Sequence, residues 1–176
     1  MYQVPSYWGN SYYMRANFVP IWNTGFPKAV QMIKEAVQGE RNDELFYDEL
    51  INLAPSQEQV AIIESIRNDE RGHNKMFREM YRALTGQEIA GISSEKYERV
   101  QSYTEGLQRA LMGELGAVER YRNIWFGLPA GIYKDTVYGI ILDELKHAAK
   151  YNYLITLNLR SLQLGQQPGF GNTVGV

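Results

Sequence analysis

The sequence predicts an all-α protein, a four-helix bundle made of two repeated helical hairpins. Apolar residues recur at helical spacing along four long segments of the chain. Almost no segment shows the polar and apolar alternation that marks a half-buried strand. The second half also repeats the charged residues of the first half at one constant separation. Long amphipathic helices that form two copies of one hairpin are typical of a bundle.

Turn and capping signals bound the four predicted helices. Pro27 suits a first helical turn, and Pro55 ends the first helix. Ser56 and Gln59 form the capping-box pattern that starts the second helix, and Gly86 stops it. The predicted bounds are about Pro27 to Leu53 for helix A, Ser56 to Gly86 for helix B, Arg99 to Gly127 for helix C, and Gly131 to Gly165 for helix D.

Three regions follow from this pattern. Residues 27–164 form the predicted bundle. Residues 1–26 are rich in aromatic residues and turn formers and have no clear period, which predicts an arm that lies over the bundle or serves assembly. Residues 165–176 are glycine-rich and predict a loose tail.

The composition excludes several classes of protein. The chain has 176 residues and a net charge of −2 at pH 7. Its charges are interspersed, which argues against nucleic acid or a membrane surface as partners. It has no apolar run that spans a bilayer and no secretory pattern at its start, so a cytoplasmic location is expected. The absence of cysteine excludes disulfides, thiol chemistry and a cysteine-bound iron centre within this sequence.

Six residues that suit metal binding recur in pairs, 74 positions apart. Each half carries Gly-Glu on its first helix and Asp-Glu-x-x-His on its second. Glu and His three residues apart share one face of a helix. The pairs are Glu40 with Glu114, Glu70 with Glu144, and His73 with His147. Each hairpin is therefore predicted to contribute two carboxylates and one imidazole.

The turns place these side chains at one level of the bundle. Glu40 lies 15 residues before Pro55 and Glu70 lies 15 residues after it, so both are roughly 22 Å from the turn. The second hairpin repeats this spacing around Pro129. Four carboxylates in an apolar core repel one another unless cations lie between them. The sequence thus predicts two metal ions, iron in the first instance, with manganese or zinc accepted by the same ligands.

Four further residues accompany the predicted ligands. Asp69 and Asp143 precede Glu70 and Glu144, and are either acceptors for the second ring nitrogen of a ligand histidine or ordinary solvated acids. Tyr47 and Tyr121 lie two turns after the first glutamate of each hairpin. Each is either a redox-active phenol near the metals or a core tyrosine with a satisfied hydroxyl.

With these motifs the sequence resembles the ferritin-like superfamily and, within it, the rubrerythrin-type di-iron domains, over about residues 27–164. The motifs are GERNDELFY at 39–47, DERGH at 69–73, GELGAVERY at 113–121 and DELKH at 143–147. The resemblance implies that Glu70 and Glu144 bridge the metals, that Glu40 and Glu114 are terminal ligands, and that each metal has one histidine.

The sequence also departs from that family pattern. Rubrerythrins proper carry a rubredoxin iron that is bound by cysteine, and this chain has no cysteine. Some members have a further ligand one turn along helix C, where Ala117 and Val118 stand here. Asp43 and Glu44 of helix A are the expected replacements.

Three functions follow as expectations. The first is a di-iron oxidoreductase that reduces peroxide or dioxygen, as the resemblance implies, with electrons from an external donor because the chain holds no second redox centre. The second is a ferroxidase that sequesters iron, which requires a cage-like oligomer. The third is a structural assembly protein with a stabilising metal site, which the aromatic arm and the glycine-rich tail leave open.

The connection between helices B and C limits how the hairpins combine. With helix B ending near Leu84 and helix C starting near Arg99, the connection must climb roughly 43 Å. Residues 85–98 span at most ~46 Å when fully extended. We therefore expect either a taut crossover or an exchange of hairpins between two chains, and a homo-oligomer such as a dimer.

Overall fold

The computed structural model describes residues 25–38, 40–89 and 97–165, without the side chains of residues 40–42 and 160–165. These residues form helices and no strand, so the all-α prediction is confirmed. The helices are α1 (Phe26–Gln38), α2 (Glu40–Leu53), α3 (Gln57–Thr85), α4 (Tyr103–Gly127) and α5 (Ile132–Gly165). No helix in the described ranges has the length and apolar character to cross a membrane.

The predicted helices A to D correspond to these elements in order. Helix A corresponds to α1 and α2, between which Gly39 lies outside the described residues. Most of the predicted arm, residues 1–24, and most of the predicted tail, residues 166–176, also lie outside them.

The helices pack as a bundle with four corners. Both α3 and α4 contact α1, α2 and α5, so the α1–α2 pair and α5 occupy opposite corners. Ion pairs show that α2 and α3 are antiparallel, because Arg67 pairs with Asp48 while Arg71 pairs with Glu44. The short turn between α4 and α5 makes that pair antiparallel as well. Both hairpins therefore pack on each other within one chain.

Local signals set the ends of α3 and α4. The Ser56 hydroxyl accepts a hydrogen bond from the backbone N–H of Gln59, as the capping pattern predicted. Gly86 adopts a left-handed conformation with φ 71° and ends α3. Helix α4 begins at Tyr103 and not near Arg99, because Ser102 caps it by accepting from the N–H of Glu105.

The connection from α3 to α4 is therefore longer than predicted. Residues 86–102 reach at most about 58 Å, whereas the helix ends lie about 39 Å apart along the bundle. The prediction of a taut crossover assumed an earlier start of helix C, and residues 90–96 of the connection lie outside the described residues. The described part of the connection is fastened to α2, since Glu49 accepts hydrogen bonds from the Tyr97 hydroxyl and from the N–H of Val100.

Two apolar clusters fill the bundle above and below a polar centre. In α3, α4 and α5, the buried charged residues come after the residues of one apolar cluster and before those of the other. The upper cluster includes Ile33, Val37, Phe77, Met80, Tyr121, Ile124, Val137 and Ile140. The lower cluster includes Tyr47, Leu50, Ile63, Ile66, Leu107, Tyr151 and Leu154. The clusters seal both ends of the centre from water.

Gly106 marks a close approach between α4 and α2, and its replacement by alanine is expected to destabilise the fold. A Cβ atom there would lie 2.5 Å from Cδ2 of the fully buried Leu50. Overpacking of this kind costs about 1–3 kcal/mol. At Gly139, on the exposed side of α5, a Cβ meets nothing within 4 Å. There the same change removes only the helix penalty of glycine and stabilises by up to about 1 kcal/mol.

Urea unfolding of Gly106→Ala, Gly139→Ala and the parent protein measures the difference. Equal stability of the two variants would mean that α4 and α2 do not approach this closely.

Candidate metal centre

The polar centre is formed by α3, α4 and α5 at the middle of the bundle. His147 and Glu144 of α5 are 0% and 1% exposed, and His73 of α3 and Glu114 of α4 are buried with them. Glu70 of α3 is partly buried beside them. Removing a charged group from water costs several kcal/mol, so such groups are buried only where opposite charges or metal ions compensate the loss of hydration.

The two histidines share the same carboxylates. Nδ1 of His147 lies 3.0 Å from Oε1 of Glu70 and 3.7 Å from Oε2 of Glu114. Nδ1 of His73 lies 3.5 Å from Oε1 of Glu70 and 3.1 Å from Oε1 of Glu144. The second oxygen of Glu144 lies 3.9 Å from Nδ1 of His147. Glu70 and Glu144 therefore each contact both imidazoles, whose ring centroids lie 5.8 Å apart.

Each histidine makes a hydrogen bond through Nε2, the ring nitrogen remote from the glutamates, to an aspartate of the other hairpin. Nε2 of His73 lies 3.2 Å from Oδ2 of Asp143, and Nε2 of His147 lies 3.0 Å from Oδ2 of Asp69. An ionised carboxylate only accepts hydrogen bonds, so Nε2 carries the proton in both rings. In a neutral imidazole this leaves the lone pair on Nδ1, which faces the glutamates.

Lys146 joins the two aspartates, and sequence reasoning missed it. Its Nζ lies 3.2 Å from Oδ2 of Asp69 and 2.6 Å from Oδ1 of Asp143. These contacts and the histidine hydrogen bonds outweigh desolvation and lower the pKa of both aspartates. The repeat gave no signal for it, because the matching position in the first hairpin is Gly72.

Four ligand atoms at the centre are buried without a hydrogen-bond partner. They are Oε1 of Glu70, Nδ1 of His73, Oε1 of Glu144 and Nδ1 of His147. The atoms lie close together, so lone pairs face lone pairs when both imidazoles are neutral and carry their proton on Nε2. A buried polar atom without a partner costs about 1–3 kcal/mol. Metal cations between these atoms remove that cost, and carboxylates with imidazoles suit first-row ions.

Without a metal cation, bound protons must balance the negative charge of the buried carboxylates. Desolvation lowers the pKa of His147, but the nearby carboxylates of Glu114, Glu144 and Glu70 favour its protonated form, outweigh desolvation and raise the pKa to about 12. The same balance raises the pKa of His73 to about 10. Burial raises the pKa of Glu114 to about 9. Metal ions bind to deprotonated ligands, so they displace these protons.

The fold brings four of the six predicted ligands into one compact group. Ligand atoms of Glu70, Glu114, Glu144 and His147 all lie within 4.8 Å of one another, which suits one metal ion. His73 lies at the edge of this group through its contacts with Glu70 and Glu144. Glu40 begins α2, and its side chain lies outside the described residues.

The expected replacement ligand Glu44 is engaged elsewhere. Both of its oxygens accept hydrogen bonds from Arg71 at 2.5 Å. The Arg71 side chain lowers the pKa of Glu44 below its usual value. Asp43 lines the cavity that reaches Glu70, Glu114 and Glu144, and it is the remaining candidate of the two acids.

The tyrosines near the centre are buried. Tyr47 and Tyr121 are mostly shielded, and burial raises the pKa of both phenols. Tyr151, to which no role was assigned from the sequence, is fully buried one turn after His147, and its hydroxyl has no hydrogen-bond partner. Its position four residues after His147 was the available signal.

A cavity of about 640 Å³ opens onto the centre between α2 and α4. Glu70, Glu114 and Glu144 line its inner part. The other lining residues include Asp43, Tyr47, Glu98, Arg109, Ala110, Gly113, Ala117, Arg120 and Tyr121. Ala117 also lines the cavity, and its small side chain occupies little of this space.

Replacing both Asp69 and Asp143 by asparagine is expected to weaken metal binding by about 10–100-fold. The loss follows because these carboxylates hold the histidine rings in orientation and increase their basicity. Competition with a fluorescent chelator measures the affinity. The exposed Asp48→Asn variant, which loses only an ion pair with Arg67 on the surface, is the control. An unchanged affinity in the double variant would contradict the positioning role.

Comparison with known proteins identifies one relative. The chain is 33% identical over 95 residues to "Uncharacterized protein YhjR" of Bacillus subtilis (strain 168). The match covers 54% of this chain and 64% of the length of that protein. No protein-family model matches the chain, and no solved structure matches it significantly. The geometry of the centre is therefore the main guide to its function.

Proposed function

We propose that this chain is a di-iron carboxylate oxidoreductase that reduces hydrogen peroxide or dioxygen. The observation that carries the proposal is the group of four buried, unpartnered ligand atoms on Glu70, His73, Glu144 and His147. They come from both hairpins and lie at one level of the bundle, where metal ions could replace the missing partners. A structural core has no need for such an arrangement, because apolar residues of the same volume are as stable or more so.

The ligands divide between two ions. Glu70, Glu114, Glu144 and His147 suit the first ion through their mutual distances. His73, which contacts Glu70 and Glu144, suits the second. The repeat pairs Glu114 with Glu40, which makes Glu40 the fourth carboxylate of this proposal. When bound, a pair of iron ions supplies electrons and Lewis acidity to an oxidant.

The surrounding residues orient the ligands and exclude water. Asp69 and Asp143 hold the histidine Nε2–H groups, so that Nδ1 stays directed at the carboxylates. The apolar clusters close the centre above and below. Access is left to the cavity between α2 and α4. Tyr47 and Tyr121 line it with neutral phenols, because burial raises the pKa of both and keeps them protonated.

Reduction of hydrogen peroxide to two waters takes two electrons and two protons. An external reductant must supply the electrons after each turnover, since the sequence holds no cysteine-bound iron centre. The cavity also provides a route by which water can deliver protons from solvent, past Arg109 and Arg120.

The acidic character of the cavity favours a second candidate, ferrous iron oxidation. Asp43 and Glu98 join the three glutamates in its lining, against two arginines. A path lined by carboxylates attracts cations. In this case ferrous ions would be the substrate and dioxygen the oxidant.

Rapid mixing of the iron-loaded protein separates these functions. We expect ferrous protein prepared without oxygen to be oxidised faster by hydrogen peroxide than by dioxygen at equal concentration, followed by absorbance. Zinc-loaded protein is the control, because zinc has no redox chemistry. Rapid reaction with dioxygen and none with peroxide would support the ferroxidase. No reaction with either peroxide or dioxygen would contradict both redox functions and favour a structural protein with a stabilising metal site.

A further inference from the structure

The outward face of α4 and α5 is apolar. Leu142 and Leu145 of α5 are 49% and 45% exposed, and Met112 of α4 is 65% exposed. Leu115 and Tyr138 are exposed beside them. We call these five residues the outer face of the second hairpin. An exposed apolar group of this extent on a folded domain marks an interaction surface.

The outer face is continuous across the two helices. Tyr138, Leu142 and Leu145 follow one another at the i, i+4, i+7 spacing of one helical stripe. Helices α4 and α5 pack directly on each other, and the ring of Tyr138 lies 6.4 Å from that of Trp125 on α4. Leu115 and Met112 follow on α4 in the opposite direction, three residues apart. Exposed apolar side chains therefore occur on both helices of this packed pair.

The first hairpin has polar residues at the positions that match the outer face, although it shares the proposed metal ligands. A shift of 74 positions maps each ligand of the second hairpin onto a ligand of the first. The same shift maps the outer face onto polar residues only. In the order Met112, Leu115, Tyr138, Leu142 and Leu145, the counterparts are Gln38, Arg41, Glu64, Asn68 and Arg71. The apolar residues are therefore not a requirement of the hairpin fold or of the metal centre.

The area fits an interface between two copies of this chain. Exposed apolar residues recur on α5 from Tyr138 to Leu159, about 32 Å along the helix, with exposed polar residues among them. Two packed helices are about 20 Å wide, so the whole face, apolar and polar together, offers about 640 Å² per chain. Stable dimers bury about 600–1,000 Å² per partner, and homodimer interfaces are more apolar than transient ones.

We propose that the outer face of the second hairpin is the interface of a homodimer, in which it packs on its own copy about a twofold axis. A twofold interface brings the same surface of both chains together, so an apolar face meets an apolar face. The proposal is independent of the redox function. It places the cavity between α2 and α4 away from the partner, because that cavity opens on another side of the bundle.

The mass of the metal-loaded, full-length protein in solution tests the proposal. Light scattering after size exclusion is expected to give twice the chain mass of 20.2 kDa for the wild type. The double variant Leu142→Glu with Leu145→Glu is expected to have the mass of one chain, because buried like charges oppose association. Metal content and helical circular dichroism confirm that the variant is folded.

Exposed apolar residues of the first hairpin supply the control. Leu45 and Met76 are 41% and 43% exposed, close to Leu142 and Leu145. The variant Leu45→Glu with Met76→Glu is expected to remain a dimer. A monomeric wild type, as would result if residues 1–24 covered this face, overturns the proposal. So does a dimer, or a larger assembly, that persists in the Leu142→Glu, Leu145→Glu variant.

A second measurement does not depend on a disruptive variant. The chain has no cysteine, so Leu142→Cys and Leu145→Cys each introduce a single thiol. A short bismaleimide is expected to link two chains through at least one of these thiols, and not through Met76→Cys. Absence of covalent dimer at both positions overturns the proposal.

Discussion

Replacing Glu70 and Glu144 together by alanine is expected to abolish the binding of two metal ions per chain. Oε1 of Glu70 lies 3.0 Å from Nδ1 of His147 and 3.5 Å from Nδ1 of His73. Glu144 contacts both imidazoles with its two oxygens. Each carboxylate thus serves both halves of the centre, and its loss affects both ions. Metal analysis of protein that has been loaded and desalted measures the stoichiometry.

Matched variants separate this effect from general loss of charge or of fold. Glu79→Ala with Glu119→Ala removes two exposed glutamates and is expected to keep both ions. Glu70→Gln with Glu144→Gln keeps the side-chain volume and removes the charge, and it is expected to lose the metal while remaining helical. Full metal content in either Glu70, Glu144 double variant would refute the assignment of the centre.

The metal-free protein is expected to lose stability steeply as the pH rises from 7 to 10. Carboxylate contacts outweigh desolvation and raise the pKa of His73 to about 10 and that of His147 to about 12, against 6.5 in the unfolded chain. Stability from a raised histidine pKa is complete below 6.5 and is lost as the pH rises through the folded value. Burial raises the pKa of Glu114 to about 9, which acts in the same direction.

The expected slope is about 1.4 kcal/mol per pH unit for each proton that the native protein holds in excess. Urea unfolding in the presence of a chelator, at several pH values, measures it. Metal-loaded protein is the control, and its stability is expected to vary less because metal ions have displaced these protons. Glu144 does not interfere, because its pKa of about 2 affects stability only as the pH falls below 4.5. A flat profile for the metal-free protein would mean that the centre holds no excess protons.

Local patterns were sufficient to predict the helices and most of the centre. Ile33 and Val37 lie at helical spacing and are buried, and Ser56 caps α3 as its sequence context predicts. Glu70 and His73 lie three residues apart, so helical geometry alone places them on one face. The 74-residue repeat then related one hairpin to the other. These predictions depend on interactions within a few residues, which a sequence displays directly.

Errors arose where a local pattern allowed two outcomes. Helix C was predicted to start near Arg99. It begins at Tyr103 instead, because Ser102 caps it by accepting a hydrogen bond from the N–H of Glu105. Glu44 was a candidate ligand until the fold placed Arg71 within 2.5 Å of it. The partner of an acidic side chain on another helix depends on packing, and no spacing rule specifies it.

Helical periodicity and an internal repeat were enough to predict the all-α class, the two hairpins and the burial of Glu114, Glu144, His73 and His147. The fold was needed to show that each aspartate holds the histidine of the other hairpin, that Lys146 joins both aspartates, and that a cavity beside Ala117 reaches the glutamates. These features depend on distances between helices that are far apart in the chain. Such distances follow from the packing of whole helix faces, which no local pattern encodes.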